Sequence, residues 1–458
     1  MSLVDTSQRP SLAPVRQAVV SGWGRTNPAP VTLLRPTGSG QIAELLAGEA
    51  PVRGLIARGA GRSYGDAAQN SDGTVLDMTG FSGVGAIDSR TGEVRVGAGT
   101  TFAELLEELA AHGLSLPVMP GTAHLTVGGA IAADVHGKNH PDAGSIARHV
   151  RSFALCTPAA GEIEVAESDD PELFAATLGG MGLTGVITAA TLGTIVLRRP
   201  CALADIDKLD TLEGAIELLG TTTHTHGIAW LDLISPGRAF GRAVVTRSRE
   251  GDEAAGPAQL GLAAARTGIA GRLPAGLLRP ATVRAFNALH WLRAPRRARE
   301  RPLSAGAALF PLDGVGGWNR LYGRQGLIQY QFVVPNGEEA TVRSLLEMLR
   351  AQDVPMYLAS LKRLGPAGPG LLSFPIEGWT LAIDIPARAP GLAAALDWAD
   401  QLVASAGGRV YLAKDARMSP ERLAAMYPEL PRFLEVRARV DPHERLRSDL
   451  SRRLGLTR

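Results

Sequence analysis

The side chains best suited to chemistry cluster in residues 117–140, PVMPGTAHLTVGGAIAADVHGKNH. A Pro-Gly turn at Pro120 and Gly121 and the pair Gly128 and Gly129 let the backbone approach a ligand closely, because no Cβ intervenes. Behind them come His136, Lys138 and Asn139, a dense set of donors suited to a flat, polar-edged ligand. His136 and His140 have the i, i+4 spacing of a helical metal pair. No third ligand is near, however, Pro141 follows at once, and the glutamate of an H-E-x-x-H motif is missing, so no metal is expected. A second glycine cluster, RGAGRSYGD at 58–66, has the makings of an anion nest, with Arg58 and Arg62 adding positive charge. It outlines a pyrophosphate cradle. The literal G-x-G-x-x-G at Gly180 to Gly185 has a helical stretch before it and a β-rich run after it, the reverse of the dinucleotide-binding order, which rejects a Rossmann reading.

Further on, Gln329 and Gln331 share one side of an alternating strand, with Ile328, Tyr330 and Phe332 on the other. Two glutamines facing the same way suit either the hydroxyls of a sugar or a solvent-facing edge. The elements that must hold these residues are legible in outline. Thr101-Phe-Ala-Glu104 is a capping box. Phe102, Leu105, Leu106 and Leu109 then fall on one helical face, and Gly113 supplies the stop. From about residue 200 the glycine loops cease. Between 327 and 414 the order is strand, helix, strand, strand, helix, strand, with strands at 327–334, 355–363, 379–385 and 409–414. That is a doubled split βαβ, an antiparallel sheet with helices on one face and the other free to cover a ligand. Trp23, in the irregular lead-in, is read as a lid on the core.

At 458 residues two domains are expected, and 45% apolar residues can fill their cores. A net charge of +2 gives no general drive towards nucleic acid, so basic function must be local. Residues 266–301 hold nine arginines and one acid, Glu300, interleaved with Leu277, Phe286, Leu289, Trp291 and Leu292. They form either solvated helices or an interfacial segment resting on anionic lipid. Cys156 and Cys201 alone exclude a disulfide framework. The opening MSLVDTSQRP has no signal-peptide pattern, and the longest uncharged run, 175–197, is broken by five glycines, so no transmembrane helix is expected.

The two glycine loops, with LGGMGLTGVI at 178–187 behind them, resemble the FAD-binding domain of the vanillyl-alcohol-oxidase-type flavoproteins. More narrowly, GWGRT at 22–26, HGKNH at 136–140, LIQYQFV at 327–333, Gly378-Trp379 and YLAKD at 411–415 resemble the decaprenylphosphoryl-ribose 2'-oxidase subfamily, the flavin half of a two-enzyme epimerase. These markers run in the family's order over nearly the whole chain, and the resemblance places the GWGRT segment near the flavin, the alternative to Trp23 as a lid on the core. The resemblance implies an α+β protein: a two-subdomain FAD-binding domain (1–199), a substrate domain with an antiparallel sheet of split βαβ repeats (200–409), and a C-terminal segment returning to the first domain (410–458).

The resemblance also implies one FAD. Its first loop would be Ala57, Arg58, Gly59, Ala60, Gly61, Arg62, Ser63, Tyr64, Gly65, Asp66 and Ala67. The second would be Gly121, Thr122, Thr126, Val127, Gly128, Gly129, Ala133, Asp134, Val135 and His136, with Ile187 and Tyr411 behind. Many relatives tether the flavin through a histidine of the first loop. Arg62 stands there in this chain and cannot form that bond, so FAD is expected to be non-covalent.

The implied reaction is oxidation of the ribose 2'-hydroxyl of decaprenylphosphoryl-β-D-ribose to a 2'-keto sugar, which an NADH-dependent short-chain reductase would complete into the arabinose donor for cell-wall arabinan. Lys414 and His136 are the implied catalytic residues. Lys138, Tyr64, Gln329, Gln331, Lys362, Trp230 and Ala382 would face substrate. Hydride transfer belongs to the cofactor. A lysine desolvated beside it acts either as base or as a charged stabiliser, and both roles stay open for Lys414. Lys362 would meet the lipid phosphate as a point charge. Ala382 stands where the subfamily commonly has a cysteine, so that position is not catalytic. A polyprenyl substrate implies a peripheral place at the inner membrane, on the cytoplasmic or the periplasmic side, and no nucleic-acid partner. Two alternatives remain: a flavin oxidase of another sugar alcohol or an aldonolactone, and a non-catalytic flavoprotein that binds polyprenyl-phosphate sugars.

Overall fold

The computed structural model of the protein describes residues 15–48, 52–88, 90–198, 201–250, 260, 262 and 277–457. Its architecture is α+β. The first sheet runs, in spatial order, Val15–Val20, Ala29–Leu34, Thr74–Asp77 and Leu55–Arg58, antiparallel at its outer pair and parallel elsewhere. The second, antiparallel throughout, runs Val84–Asp88, Glu93–Gly97, Val186–Gly193, Val150–Thr157 and Gly161–Ala166. The helix Phe102–Ala111 packs within this half. Its capping box forms as the sequence predicts: Glu104 N donates to Thr101 Oγ1 at 3.2 Å and Thr101 N to Glu104 Oε2 at 2.8 Å. Its four apolar-face residues are fully buried.

The first glycine cluster leaves the end of the strand Leu55–Arg58, and the second leads into the helix Val127–Ala132. They touch where a side chain would not fit. A Cβ on Gly59 would lie 2.0 Å from Thr126 Oγ1, and one on Gly128 would lie 2.9 Å from the Ala98 Cβ.

Beyond residue 200 stands an eight-stranded antiparallel sheet. Its spatial order is Arg297–Ser304, Cys201–Leu209, Ala243–Glu250, His226–Leu231, Leu358–Leu364, Gly378–Pro386, Leu327–Pro335 and Arg409–Val410. The sequence predicts only the second half. In fact two strand-helix-strand-strand-helix-strand units follow one another along the chain, each in the order fourth, first, third, second. They join through their second strands, Ala229 facing Leu361 and Leu231 facing Ala359. The helices Leu212–Gly220, Glu339–Ala351 and Leu392–Ser405 cover the face away from the glutamines; Tyr330, for instance, donates through its hydroxyl to Asp400 at 2.9 Å. The helix Pro280–Arg293 lies on the opposite face, where His290 meets Trp230 edge-on with ring centroids 4.6 Å apart.

One element needs correction. The predicted strand 409–414 ends at Val410, and residues 411–414 form a turn in which Lys414 N donates to Tyr411 O at 2.9 Å. Val410 is the last residue to pair with the strand Leu327–Pro335, and the chain then bends towards the glycine loops. No described helix is long and apolar enough to cross a membrane.

The C-terminal residues return to the first sheet. Leu446 bridges Leu55, Leu55 N donates to Arg445 O at 2.9 Å, and Arg453 pairs with Asp66.

Candidate active site

A cavity of about 950 Å³ runs between the glycine loops and the open face of the large sheet. Lys414 reaches it from the turn that replaces the expected strand end. That turn is fixed on both sides: Tyr64 N donates to Ala413 O at 2.9 Å, Tyr411 N donates to Gln331 O at 2.9 Å, and the Tyr411 hydroxyl donates to Ala133 O at 2.7 Å. The Lys414 ammonium position lies 3.8 Å over the Tyr64 ring. Burial pushes its pKa down to about 7, opposed by Asp384 and reinforced by Lys362. Lys362, from the strand Leu358–Leu364, is pushed down to about 8 by burial alone. Lys138 is pushed to about 7 by burial and by Lys362, and its Nζ donates to Ala308 O at 2.5 Å. No carboxylate forms an ion pair with any of these three lysines among the described residues. The cavity therefore carries positive potential with no fixed counter-ion at Lys362.

His136 is held by Gln331, whose amide Nε2 donates to His136 Nε2 at 3.1 Å and to Thr380 Oγ1 at 3.2 Å. Its ring proton accordingly sits on Nδ1, which is buried and has no partner among the described residues. Burial, then Lys362, His140 and Lys414, hold its pKa well below the usual imidazole range, so the ring is neutral. Phe374 and Tyr411 flank it, with ring centroids 5.5 and 5.4 Å away. His140 does not join it as a ligand pair: its Nδ1 accepts from Gly365 N at 2.9 Å. Among the described residues no group of three metal-ligating side chains exists.

Of the residues the sequence singles out, Ala57, Gly59, Ala60, Gly61, Arg62, Ser63, Tyr64, Ala67, Gly121, Thr122, Thr126, Gly128, Gly129, Ala133, Val135, His136, Ile187 and Tyr411 line the cavity on the loop side. Lys138, Trp230, Gln329, Gln331, Lys362, Ala382 and Lys414 line it from the sheet and the turn. Gln329 and Gln331 thus face the cavity, not solvent, because the sheet's open side is covered by the glycine loops.

Five do not line it. Arg58 turns back, donating to Ala68 O at 2.9 Å and Ser21 O at 2.7 Å, so its charge braces the loop. Asp66 is engaged by Arg453. Gly65 packs against the backbone at Asp415, where a Cβ would lie 1.6 Å from the carbonyl oxygen. Val127 is core, and Asp134 accepts from Ala147 N at 3.1 Å. These residues shape the cradle from behind.

Of the two readings of Trp23, the lid on the core does not hold: Trp23 lines the cavity, beneath Arg62 at 4.2 Å. Asp384, Asp313, Trp318, Ser360 and His290 also line it and were missed.

The walls fit FAD. Gly121 presents bare backbone to the space, the Arg62 Nε and His136 Nδ1 protons are buried without partners among the described residues, and both glycine loops border one continuous cavity.

Comparison with known proteins agrees. Residues 32–167 match the FAD binding domain family, and residues 394–454 match the D-arabinono-1,4-lactone oxidase family. The chain is 38% identical over 448 residues to the decaprenylphosphoryl-beta-D-ribose oxidase of Mycolicibacterium smegmatis, covering 95% of this chain and 97% of that protein. It is 32% identical over 159 residues to an alditol oxidase of a Streptomyces species, covering 34% and 37%. It is also 32% identical over 182 residues to the L-gulono-1,4-lactone dehydrogenase of Mycobacterium tuberculosis, covering 39% and 42%.

Proposed function

The chain belongs to the decaprenylphosphoryl-β-D-ribose oxidase family of FAD-dependent oxidoreductases, and on that premise we propose that it oxidises the 2'-hydroxyl of decaprenylphosphoryl-β-D-ribose to the 2'-keto sugar. FAD, when bound, supplies the acceptor for the hydride of the carbinol carbon. The glycine loops hold it without a covalent bond, since Arg62 offers no tether. Lys414 takes the hydroxyl proton; burial brings its pKa down to about 7, so a substantial share of the amine is neutral near that pH, as a general base requires. Gln329 and Gln331 orient the sugar, and neutral His136 fixes Gln331 and donates from Nδ1. Lys362 and Lys138 receive the phosphate. The observation that carries this reading is the enclosed lysine trio, none of it in an ion pair with a carboxylate among the described residues, in the same cavity as the glycine loops.

The working division into 1–199, 200–409 and 410–458 follows the same reading. So does a reductase partner that takes up the keto product and completes epimerisation towards an arabinose donor. The lipid tail calls for contact with a membrane. Support comes from the helix Pro280–Arg293, whose Phe286, Leu289 and Leu292 are exposed while Phe286, His290 and Arg293 also line the cavity. Residues 266–276 of the basic segment lie outside the described residues.

A second reading, an aldonolactone oxidase, is favoured by the match over 394–454, which includes Lys414. An uncharged lactone offers Lys362 and Lys138 no anion to pair with. Anaerobic mixing separates the two. Decaprenylphosphoryl ribose should bleach the bound flavin in a single turnover and aldonolactones should not, whereas bleaching by a lactone alone would move the protein to the second reading.

A further inference from the structure

Asp384 lies on the strand Gly378–Pro386, two residues beyond Ala382 and on the same cavity-facing side. It is 1% exposed. Its Oδ1 accepts from Gln329 Nε2 at 2.6 Å, in register across the strand pair. Its Oδ2 is buried and has no partner in good hydrogen-bond geometry among the described residues, although the Tyr322 hydroxyl is close enough to interact with the carboxylate as a donor. A carboxylate left half-satisfied in a closed site is costly, because the free oxygen has lost its water. Such an arrangement persists where a partner arrives during function.

The groups that face Asp384 narrow down that partner. Lys414 faces it from the turn, Gln329 from the neighbouring strand, Tyr322 from the segment Trp318–Gln325 and Tyr64 from the first glycine loop. Burial keeps both tyrosines protonated. Lys362 bears on Lys414 with a like charge. Asp313, another carboxylate of the cavity wall, already accepts from Ala123 N at 2.7 Å. Among the described residues, Lys414 is therefore the cation that Asp384 faces across the cavity.

We propose that Asp384 is a positioning residue for proton transfer, holding the Gln329 amide with one oxygen and offering the other as counter-charge to Lys414 when that amine takes the substrate's hydroxyl proton. The inference rests on Lys414 being the base. The substrate O–H bond breaks with its proton moving to the Lys414 amine, and the carbinol hydride leaves to the cofactor; burial raises the Asp384 pKa to about 7, so its carboxylate is the counter-charge on the alkaline side of that pH, where Lys414 is neutral and able to accept the proton. With Nε2 committed to Asp384, Gln329 turns its Oε1 towards the sugar hydroxyls.

The expected signature has a sign. Burial and Lys362 both lower the Lys414 pKa, and Asp384 alone raises it. Removing the carboxylate leaves the two lowering effects unopposed, so the pH at which Lys414 loses its proton must fall. The amine also becomes a weaker base with no counter-charge, so the rate above that pH must fall too. A residue that merely supported the fold would move neither.

The experiment is anaerobic single-turnover reduction of the holoenzyme's flavin by decaprenylphosphoryl ribose from pH 5.5 to 9, in wild type, Asp384→Asn, Asp384→Glu and Lys414→Ala. Asp384→Asn should keep its FAD spectrum, lose about 10²-fold in plateau rate, and shift its rising limb roughly one unit towards acid. The chain has only four lysines, so lysine labelled with carbon-13 at Cε reads the Lys414 midpoint directly by NMR, assigned through Lys414→Ala. An unchanged plateau and midpoint in Asp384→Asn, with Lys414→Ala impaired, overturns the role of Asp384 alone. Reduction of Lys414→Ala at the wild-type rate overturns the base reading itself. If Asp384→Asn fails to retain FAD, Asp384→Glu decides: a lowered plateau with the midpoint held supports the proposal, and an unchanged plateau overturns it.

Discussion

Arg453 Nη1 donates to Asp415 Oδ2 at 2.8 Å, while its Nε and Nη2 hold the two oxygens of Asp66 at 2.9 and 2.7 Å. Asp66 ends the first glycine loop and Asp415 follows Lys414, so one arginine near the C-terminus locks the cofactor cradle to the turn that carries the proposed base. The fork geometry of a guanidinium is what makes both pairings possible at once. Arg453→Met would leave two buried carboxylates facing each other without a cation, a loss of about 3–5 kcal/mol. Denaturant unfolding should show a lower midpoint at unchanged slope. Arg453→Lys should recover only part of it. A midpoint equal to wild type for Arg453→Met would show that the lock carries no load.

What the sequence revealed, and what it hid, follows from how local each signal is. The capping box at Thr101 and Glu104, the glycine loops and the alternation at Gln329 and Gln331 are written in adjacent residues, so local reading finds them. The first strand-helix unit of the large sheet is not. Its edge strand, RARERPLS at Arg297–Ser304, is half charged and mostly exposed and shows no alternation. Asp384 was hidden for another reason. In IDIP it is one more polar residue of a strand, and only the register that sets it opposite Gln329 puts it in the site. One compositional signal was available and went unused. The chain has four lysines against 43 arginines, and three of the four line the cavity. Where arginine fills nearly every ordinary basic position, a lysine marks a place that needs a compact, titratable amine.

Arg62 sets the expectation for the cofactor bond. It stacks on Trp23 at 4.2 Å and has no nucleophilic ring nitrogen to offer the flavin. Acid precipitation of the holoprotein should release all the yellow colour into the supernatant. Flavin left on the denatured chain would mean that another side chain forms the tether.

The exposed stripe of Phe286 (62%), Leu289 (44%) and Leu292 (75%), beside Arg279, Arg284 and Arg293, is the basis for the membrane expectation. Purified protein should co-sediment with anionic liposomes at low salt and detach at high salt, since surface charge is screened within about 10 Å at 0.1 M. Changing both Phe286 and Leu292 to serine removes two apolar anchors of about 1.5–3 kcal/mol each when fully buried, so binding should drop tenfold or more. Equal binding to neutral liposomes would sink the electrostatic part, and an unaffected double variant the apolar part.

Lys414 carries the mechanism, and its two possible roles differ in sign. Lys414→Ala should fold and keep FAD, because the glycine loops make the cradle. Flavin reduction should nevertheless fall by about 10²- to 10⁴-fold in a single turnover, the range for a positioned proton-transfer group. Since burial brings the Lys414 pKa down to about 7, the wild-type profile separates base from charged stabiliser within an accessible range. A base works only when neutral, so the rate would rise as pH passes through about 7 and then level off. A stabiliser works only when charged, so the rate would hold on the acid side and fall through the same pH. Bound lipid phosphate near Lys362 would offset the repulsion that Lys362 exerts on Lys414, moving the midpoint upward in the complex relative to the free enzyme. A wild-type rate flat from pH 5.5 to 9, or an unimpaired Lys414→Ala, would remove Lys414 from the chemistry and leave Lys138 and Lys362 as the candidates.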